Sequence, residues 1–434
     1  MGERRWRLPS VSGIERWLVV PTLVSAAGSG IAPMMLPLEI VEIEGRALHV
    51  GVVMAAIGAG LLSAPFWSRL ASRRRAHRAV VVAGALAVAS SLVGFCLARE
   101  VHEWAALATL LGIGTAAVFT VSSLLITDRF PPEEQQARVG WLQTLATVGT
   151  MCGLVVAGGV SHLSLEPAYG FAIGAGLTLI AALLAGAFVP AVGSSAAAAP
   201  GSSAVAAPGA TAHAGLSKPA APAAKQILQP FTLLLVLWAI AGLGVYGVGA
   251  LYPLLMRREF HVEPAVSSYC LALATGLSTL LFVPSGALAA RLGELRVLQG
   301  GLGLRLVSLT LLSFMAVTPL LERAWLAFIP YFSFLLAWPL LSISSVLLVA
   351  RLGNRGGDSG IGMFSAVGAF ASLLGPVVGG HTADTFGYTA VWLLAAAGVG
   401  LALLLSLALA RPVASAREAS RASGPAVDAG GEPA

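Results

Sequence analysis

The sequence predicts an all-α membrane protein with twelve transmembrane helices in two pseudo-symmetric six-helix halves. Of its 434 residues, 57% are hydrophobic and 11% are charged, whereas about a quarter of the residues of an ordinary soluble domain are charged. The mean hydropathy is +0.85, and apolar runs of about 20 residues, the length that crosses a bilayer core, recur along the chain. The 50 glycines suit close helix packing. These observations exclude a soluble globular protein.

Apolar runs between charged residues or Pro and Gly define the expected spans. The first six lie at 17–38, 50–70, 79–98, 104–126, 139–161 and 167–189. The other six lie at 229–255, 265–290, 297–320, 324–350, 359–382 and 387–410. The first run is too long for a signal peptide and continues through Pro33 and Pro37 without an A-x-A cleavage site, so we expect it to remain in the mature protein.

A compositional break divides the chain between the sixth and seventh spans. Residues 191–226 are almost entirely Ala, Pro, Gly and Ser, which cannot bury enough apolar surface to fold. We therefore expect a disordered cytoplasmic linker between an N-terminal half at 17–190 and a C-terminal half at 227–410. Residues 1–16 form a cytoplasmic N-terminal segment, and residues 411–434 form a disordered cytoplasmic tail. The linker is expected to be a simple tether, and the alternative is a binding site for a partner.

The basic residues predict the orientation. Most of the 26 Lys and Arg residues fall in cytoplasmic segments when the N-terminus is placed in the cytoplasm, as the positive-inside rule requires. Both termini are then cytoplasmic, and the net charge of +6 needs no nucleic-acid partner. The preference for Arg over Lys and the abundance of Ala are associated with GC-rich bacterial genomes. We expect a multi-pass protein of a bacterial inner membrane.

Motifs for metals, cofactors or catalysis are missing from the sequence. Cys96, Cys152 and Cys270 lie far apart in apolar runs without metal spacing. The seven histidines include no i, i+4 pair of a helical zinc site, and neither lysine belongs to a phosphate-binding loop. We expect no enzyme, no cofactor and no metal.

An internal repeat relates the two halves. Leu36-Pro37-Leu38 matches Tyr252-Pro253-Leu254, and the segment 65–73 matches 283–291, which places Ser68 opposite Gly286. The segment 153–158 of span five falls on 375–380 of span eleven. Two parallel repeats of six helices are the architecture of transporters whose halves rock about a site at the middle of the membrane.

On these patterns, residues 15–410 resemble a permease of the major facilitator superfamily. That family carries G-x-L-A-D-R-x-G-R-R after span two and a weaker copy after span eight. The resemblance implies a cytoplasmic gate motif formed by Ser68, Ser72, Arg73, Gly286 and Arg291. Ser72 and Ala290 replace the aspartate that helps to hold the outward-open state in the family, so this gate must be latched otherwise. Alternatively, the arginines between 69 and 78 only anchor the topology.

Two further family features are incomplete. Ala108 occupies the position of an arginine of span four that is associated with proton coupling, and Leu154 replaces the proline of the exporter motif GxxxGPxxGG in span five. The resemblance implies a helix-packing motif formed by Gly149, Gly153, Gly158, Gly375, Pro376, Gly379 and Gly380.

Polar and aromatic residues on the family's cavity-lining spans are candidates for substrate binding. Ser25 and Ser29 share a helix face at i, i+4, as do Gln143 and Thr147. The full set is Ser25, Ser29, Gln143, Thr147, Trp238, Tyr246, Tyr269, Tyr331 and Trp338. Few charges and several aromatic rings suit a hydrophobic, neutral or weakly cationic substrate. Helix packing or an interfacial belt is the alternative for each residue.

Three charged residues in or near the spans are candidates for ion coupling. Arg305 lies within span nine, where it either serves the transport site or snorkels to the cytoplasmic surface. Glu39 and Asp384 lie near the outer ends of spans one and eleven, where they are either ordinary surface residues or proton-accepting groups at the cavity mouth.

Together these observations predict a secondary transporter, by family resemblance a monomer, that exports a hydrophobic small molecule or drug in exchange for protons. One alternative is an uptake carrier or facilitator for a neutral metabolite. The other is a non-transporting membrane sensor or assembly partner.

Overall fold

The computed structural model describes residues 15–190, 230–318, 324–352 and 359–410. The predicted linker, the tail and all but the end of the N-terminal segment lie outside these residues. Within the described ranges, eleven helices are long and apolar enough to cross a membrane, and one bent helix pair completes a twelfth span. The prediction of an all-α protein with twelve spans is confirmed.

The spans are numbered α1 to α12 in chain order. The first half contains α1 (Arg16–Glu44), α2 (Ala47–Arg73), α3 (His77–Phe95), α4 (Val101–Arg129), α5 (Arg138–His162) and α6 (Pro167–Phe188). The second half contains α7 (Pro230–Glu259), α8 (Pro264–Leu280 and Phe282–Leu292, bent by 47°), α9 (Glu294–Val317), α10 (Trp325–Leu352), α11 (Gly362–Phe386) and α12 (Tyr388–Ala408). Several helices, such as α4 and α7, extend beyond the predicted apolar runs into charged residues, because a helix continues where its end is solvated.

Local chemistry explains where helices begin and end. Glu100 and Glu103 form a capping box at the start of α4, in which the Glu103 carboxylate accepts the N–H of Glu100 at 3.3 Å and also that of Arg99 at 2.8 Å. Pro264 occupies the first turn of α8, where a missing N–H costs no hydrogen bond. Gly45 ends α1 in the left-handed conformation at φ 72°.

The two halves repeat the same internal packing. In the first half, α3 packs against α4 and α6, while α1 packs against α5 and α6. In the second half, α9 packs against α10 and α12, and α7 packs against α11 and α12. These pairs correspond when six is added to each helix number, as the sequence repeat requires.

The halves meet through α2 against α11, α5 against α8 and, less extensively, α1 against α7. We call the side where α1 begins and α12 ends the terminal face, and the other side the opposite face. The terminal-face segment of α2, Ala64–Arg74, packs mainly against α3 and α4, and that of α8, Phe282–Leu292, packs mainly against α9 and α10. Both segments therefore pack within their own halves. The contacts between the halves lie nearer the opposite face.

Candidate functional site: a central aromatic cavity

A cavity of about 360 Å³ lies in the second half among α7, α8, α9 and α10. Its wall is mostly apolar and aromatic. Helix α7 contributes Trp238, Gly242, Tyr246 and Tyr252, and helix α10 contributes Tyr331, Phe334 and Trp338. Small-molecule sites commonly have volumes of about 300–1,000 Å³, so this cavity suits a compact ligand.

The aromatic rings of the cavity contact one another. Tyr252 stacks on Tyr331 with the ring centroids 4.4 Å apart, and the Tyr252 hydroxyl donates to the carbonyl oxygen of Ser267 at 3.0 Å. Trp238 lies 4.9 Å from Phe364 of α11 and 6.3 Å from Trp338, measured between centroids. These contacts hold the rings in fixed positions, which gives a preformed apolar surface.

Arg305 is the charged residue of this wall. Its side chain is buried, with the residue 6% exposed, and its guanidinium carbon lies 5.0 Å from the centroid of Phe334 and 5.5 Å from that of Trp338. The snorkelling interpretation is wrong, because the side chain turns inward to the rings of α10 instead of reaching the surface.

A second cavity, of about 270 Å³, lies between the two halves. Ser29 and Met54 line it from α1 and α2, and Ser372 and Pro376 line it from α11. Tyr246 and Gly249 belong to the walls of both cavities, so the two spaces adjoin along one face of α7.

The structure brings together five of the nine predicted cavity residues. Trp238, Tyr246, Tyr331 and Trp338 line the first cavity and Ser29 lines the second. The other four, Ser25, Gln143, Thr147 and Tyr269, line neither of the two.

Ser25 and Ser29 were expected to share one face of α1, but they lie in different environments. Ser25 is buried beside Gly149 of α5, whereas Ser29 is exposed to the second cavity. A π-helical segment at Ala26–Ile31 begins directly after Ser25 and contains Ser29, and it changes the 3.6-residue period on which the expectation depended.

Tyr269 has a packing position in this structure. A Cβ built on Gly158 of α5 would lie 2.6 Å from the Tyr269 ring, so the ring of α8 rests on the glycine surface of α5.

Gln143 accepts, through its backbone carbonyl oxygen, a hydrogen bond of 2.9 Å from the Thr147 hydroxyl within α5.

The glycines of the packing motif lie at close helix contacts. Cβ atoms built on Gly149 and Gly153 would overlap the carbonyl oxygens of Thr22 and Ala26 in α1. Equivalent contacts in the second half join Gly375 to Leu243 and Gly379 to Gly247, with Cβ distances of 2.6 and 2.9 Å.

Gly380 and Pro376 extend these contacts across the interface between the halves. A Cβ on Gly380 would lie 2.5 Å from the Ala47 carbonyl oxygen, and a Cβ on Gly51 would overlap the Pro376 carbonyl oxygen. The motif thus sets the approach of α11 to α2 as well as to α7.

Asp384 joins the halves at the opposite face. Its carboxylate accepts the backbone N–H groups of Ala47 and Leu48 at 2.8 and 3.0 Å, at the start of α2, and lies 3.7 Å from Nε of Arg46. Glu39 occupies a different environment, near Arg99, Glu42 and Glu166 of the first half. The two acids therefore do not form one site.

The residues of the predicted gate motif lie on the two terminal-face segments. Ser68 is buried and donates to the Pro65 carbonyl oxygen at 3.2 Å, whereas Ser72, Arg73 and Arg291 are exposed. Gly286 is half-buried, and a Cβ built on it would meet no atom within 4 Å. The two copies of the motif thus belong to segments that pack within separate halves.

Phe334 and Tyr252 are cavity residues that the sequence analysis missed. Phe334 was detectable, because residues 331, 334 and 338 follow one another at helical spacing and therefore share a face of α10. The position of Tyr252 depends on how α8 and α10 pack against α7.

This architecture defines a multi-pass membrane carrier built from two six-helix repeats, with one cavity inside the second repeat and another between the two. The chain belongs to the Major Facilitator Superfamily, whose family pattern matches residues 18–357 and, in an overlapping match, 234–430. It is therefore a non-enzymatic transport protein.

Solved structures of transporters share the fold. A mutant of the nucleoside transporter NupG has a TM-score of 0.72 at 14% identity, with 91% of this chain and 99% of that chain covered. A bacterial homologue of the human lysosomal transporter Spinster, in an inward-facing and occupied conformation, has a TM-score of 0.63 at 13% identity, with 93% and 96% covered. Among curated proteins, none matches the sequence.

Proposed function

We propose that the protein works by alternating access and exports a hydrophobic small molecule or drug from the cytoplasm in exchange for protons. The central aromatic cavity carries this proposal, because its apolar wall favours a ligand that leaves water readily. The position of the cavity beside the interface between the halves supports a site that each side of the membrane reaches in turn.

The packing of the halves supports an inward-facing state. With the N-terminus in the cytoplasm, as the distribution of basic residues predicts, the terminal face is cytoplasmic and the opposite face is external. Contacts such as that of Asp384 with Ala47 join the halves on the external side. The Spinster homologue with a similar fold was solved in an inward-facing conformation.

Asp384 is the acid that best fits proton coupling. Neither described cavity has an Asp or Glu in its wall, whereas the Asp384 carboxylate bonds across the halves at the external side. A proton taken up there would remove the negative charge that holds the start of α2, and would favour opening to the outside. Glu39, with its neighbours Arg99 and Glu42, remains a secondary candidate.

An uptake carrier or facilitator is the second candidate function. The specific observation that favours it is the absence of acids from the walls of the two cavities described. A carrier without an acid near its substrate can move that substrate without taking up a proton at the binding site.

Dye accumulation in cells that express the protein separates these candidates. Export predicts that hydrophobic fluorescent dyes accumulate less than in control cells, and that a protonophore abolishes the difference. Coupling through Asp384 predicts that the Asp384→Asn variant loses the protonophore-sensitive part of dye export. The Glu42→Gln variant, which changes another acid near the same face, should keep it. Greater accumulation that ignores the protonophore would support a facilitator, and no difference for any dye would exclude broad drug export and the proposal with it.

A further inference from the structure

We infer that Arg305 anchors an acidic group, so that the ligand of the central cavity is a compact aromatic organic anion. This inference rests on the proposed function, since it takes the cavity as the transport site, and it names the substrate class. The argument depends on the burial of Arg305, on its lack of a counter-charge and on the shape of the surrounding wall.

Arg305 has neither a hydrogen-bond partner nor an ion-pair partner among the described residues. Its Nε atom is buried without a hydrogen bond, and it takes part in none of the ion pairs. By contrast, Glu294, a buried acid of the same helix, is paired with Arg351 at 2.6 Å. The protein therefore pairs one buried charge of α9 and leaves the other without a protein anion.

The position of Arg305 makes this lack of a partner costly. Arg305 is eleven residues beyond the start of α9 at Glu294, which is about 16 Å along the helix axis at 1.5 Å per residue. It therefore lies near the middle of a 24-residue span. A charge at that depth needs a partner or water, and such residues commonly mark a substrate or ion pathway.

The rings around Arg305 orient the guanidinium without neutralising it. Phe334 and Trp338 offer their π systems at 5.0 and 5.5 Å, and Tyr246 lines the same wall. Cation–π attraction favours the cation at this place, but it leaves the N–H donors without acceptors. A ligand carboxylate, sulfonate or phosphate supplies both the opposite charge and the acceptors.

The wall also constrains the rest of the ligand. Apart from Arg305, the tyrosine hydroxyls and the indole N–H groups of the two tryptophans, the lining side chains are hydrocarbon, and the volume of about 360 Å³ leaves room for one or two fused rings. An aromatic body would pack against Trp238 and Trp338 while its acidic group meets Arg305. A cationic ligand would be repelled from the same cavity, so the neutral or weakly cationic class expected from sequence is not the class we infer here.

Binding of matched probes to the purified full-length protein tests this inference without transport. We expect calorimetry in detergent to show that 2-naphthoate binds at least tenfold more tightly than 2-naphthamide, and that naphthylmethylammonium does not compete with it. Arg305→Met is expected to remove the preference for the acid over the amide, whereas Arg305→Lys is expected to keep part of it, because the positive charge remains.

Arg296→Gln provides the matched control. Arg296 is an exposed arginine of the same helix, so this variant loses the same charge without a change in the cavity. It should bind 2-naphthoate like the wild type. Because the amide probe needs no cation, retained binding of 2-naphthamide by Arg305→Met would show that the cavity of that variant is still folded.

Several outcomes would overturn the inference. They are equal binding of the acid and the amide, absence of 2-naphthoate binding, and unchanged acid preference in Arg305→Met. Displacement of 2-naphthoate by phosphatidylglycerol but not by benzoate would assign the anion site to a lipid headgroup and overturn the substrate class. If cells that express the protein show no dye export but the purified protein still binds 2-naphthoate, only the proposed export function would be refuted.

Discussion

At the scale of single residues, glycine sets how closely the helices of each half approach. Gly153 of α5 touches the backbone of α1 at Ala26, and Gly375 of α11 touches the backbone of α7 at Leu243. In a bilayer the association of helices depends on close packing, since the lipid is as apolar as the helix surface. The repeat keeps a glycine at both of these contact positions.

Gly153→Ala should destabilise the first half. The new methyl group would overlap the Ala26 carbonyl oxygen, and overpacking of this kind costs about 1–3 kcal/mol. Thermal unfolding of the purified protein in detergent should therefore show a lower midpoint. Gly176→Ala in α6 is the control, because a Cβ there meets no atom within 4 Å, and its midpoint should be unchanged or slightly higher. Equal midpoints for the two variants would contradict the close contact.

A single residue, Arg305, likewise sets the charge of the aromatic cavity. Its burial beside Phe334 and Trp338 gives the apolar space one fixed positive charge. That charge has more influence on the choice of ligand than the surrounding rings have. Every aromatic ligand can contact the rings, but only an anion pairs with the guanidinium.

At the scale of helices, Asp384 caps a helix that belongs to the other half. The residue before α2, Arg46, makes no side-chain cap of its own, so the first N–H groups of α2 lack a local acceptor. The carboxylate of α11 accepts two of them and also meets the positive end of the helix dipole. This cap links the ends of α2 and α11 at the opposite face in the state described.

Asp384→Asn should shift the protein toward a state open at the opposite face. Hydrogen bonds to a charged group contribute about 1.5–3 kcal/mol, so their weakening is enough to change the populations of two conformers by tenfold or more. Spin labels at Leu163 and Phe386, which are exposed positions of different halves at this face, report the change. With the native cysteines replaced by serine, the distance distribution should move to longer values in the variant.

Glu42→Gln is the comparison for the Asp384 variant. Glu42 pairs with Arg257 across the halves at 2.9 Å, but their side chains are 58% and 48% exposed, and exposed pairs contribute about 0–1 kcal/mol. We therefore expect a smaller shift of the distances than with Asp384→Asn. A larger shift for Glu42→Gln would assign the closure of this face to the ion pair instead of the cap.

At the scale of the whole molecule, two similar halves share one interface. Each half has the same internal packing, and the contacts of α2 with α11 and of α5 with α8 join them. The proposed rocking of the halves would therefore change mainly these contacts, while the core of each half would stay intact. The aromatic cavity lies within the second half beside this interface. Such a motion would therefore change the access to the cavity more than it would change the residues of the cavity wall.

The orientation of the molecule determines which side the described state faces. A phosphatase that is active only outside the cytoplasm should be inactive when fused after residue 410 and active when inserted between α5 and α6. The physical reason is that most Lys and Arg residues then remain on the cytoplasmic side. A fluorescent protein that matures only in the cytoplasm should give the reverse pattern. If the phosphatase fusions are reversed, the described state faces outward.

The sequence by itself determined the number and order of the spans, the division into two repeats and the membership of the family. These properties depend on local quantities: the length of an apolar run, and the need of a backbone in lipid to satisfy its own hydrogen bonds as a helix. The aromatic spacing in α10 and the glycines of α5 and α11 also carried part of the site, because residues on one helix keep their relative positions.

Only the tertiary structure decided which faces of the helices meet. The inward direction of Arg305 follows from the rotation of α9 against α10, and the separation of Ser25 from Ser29 follows from the π-helical segment of α1. The cap that Asp384 makes joins residues 337 positions apart in the chain. No local pattern encodes such contacts, since they arise from the close packing of many side chains at once.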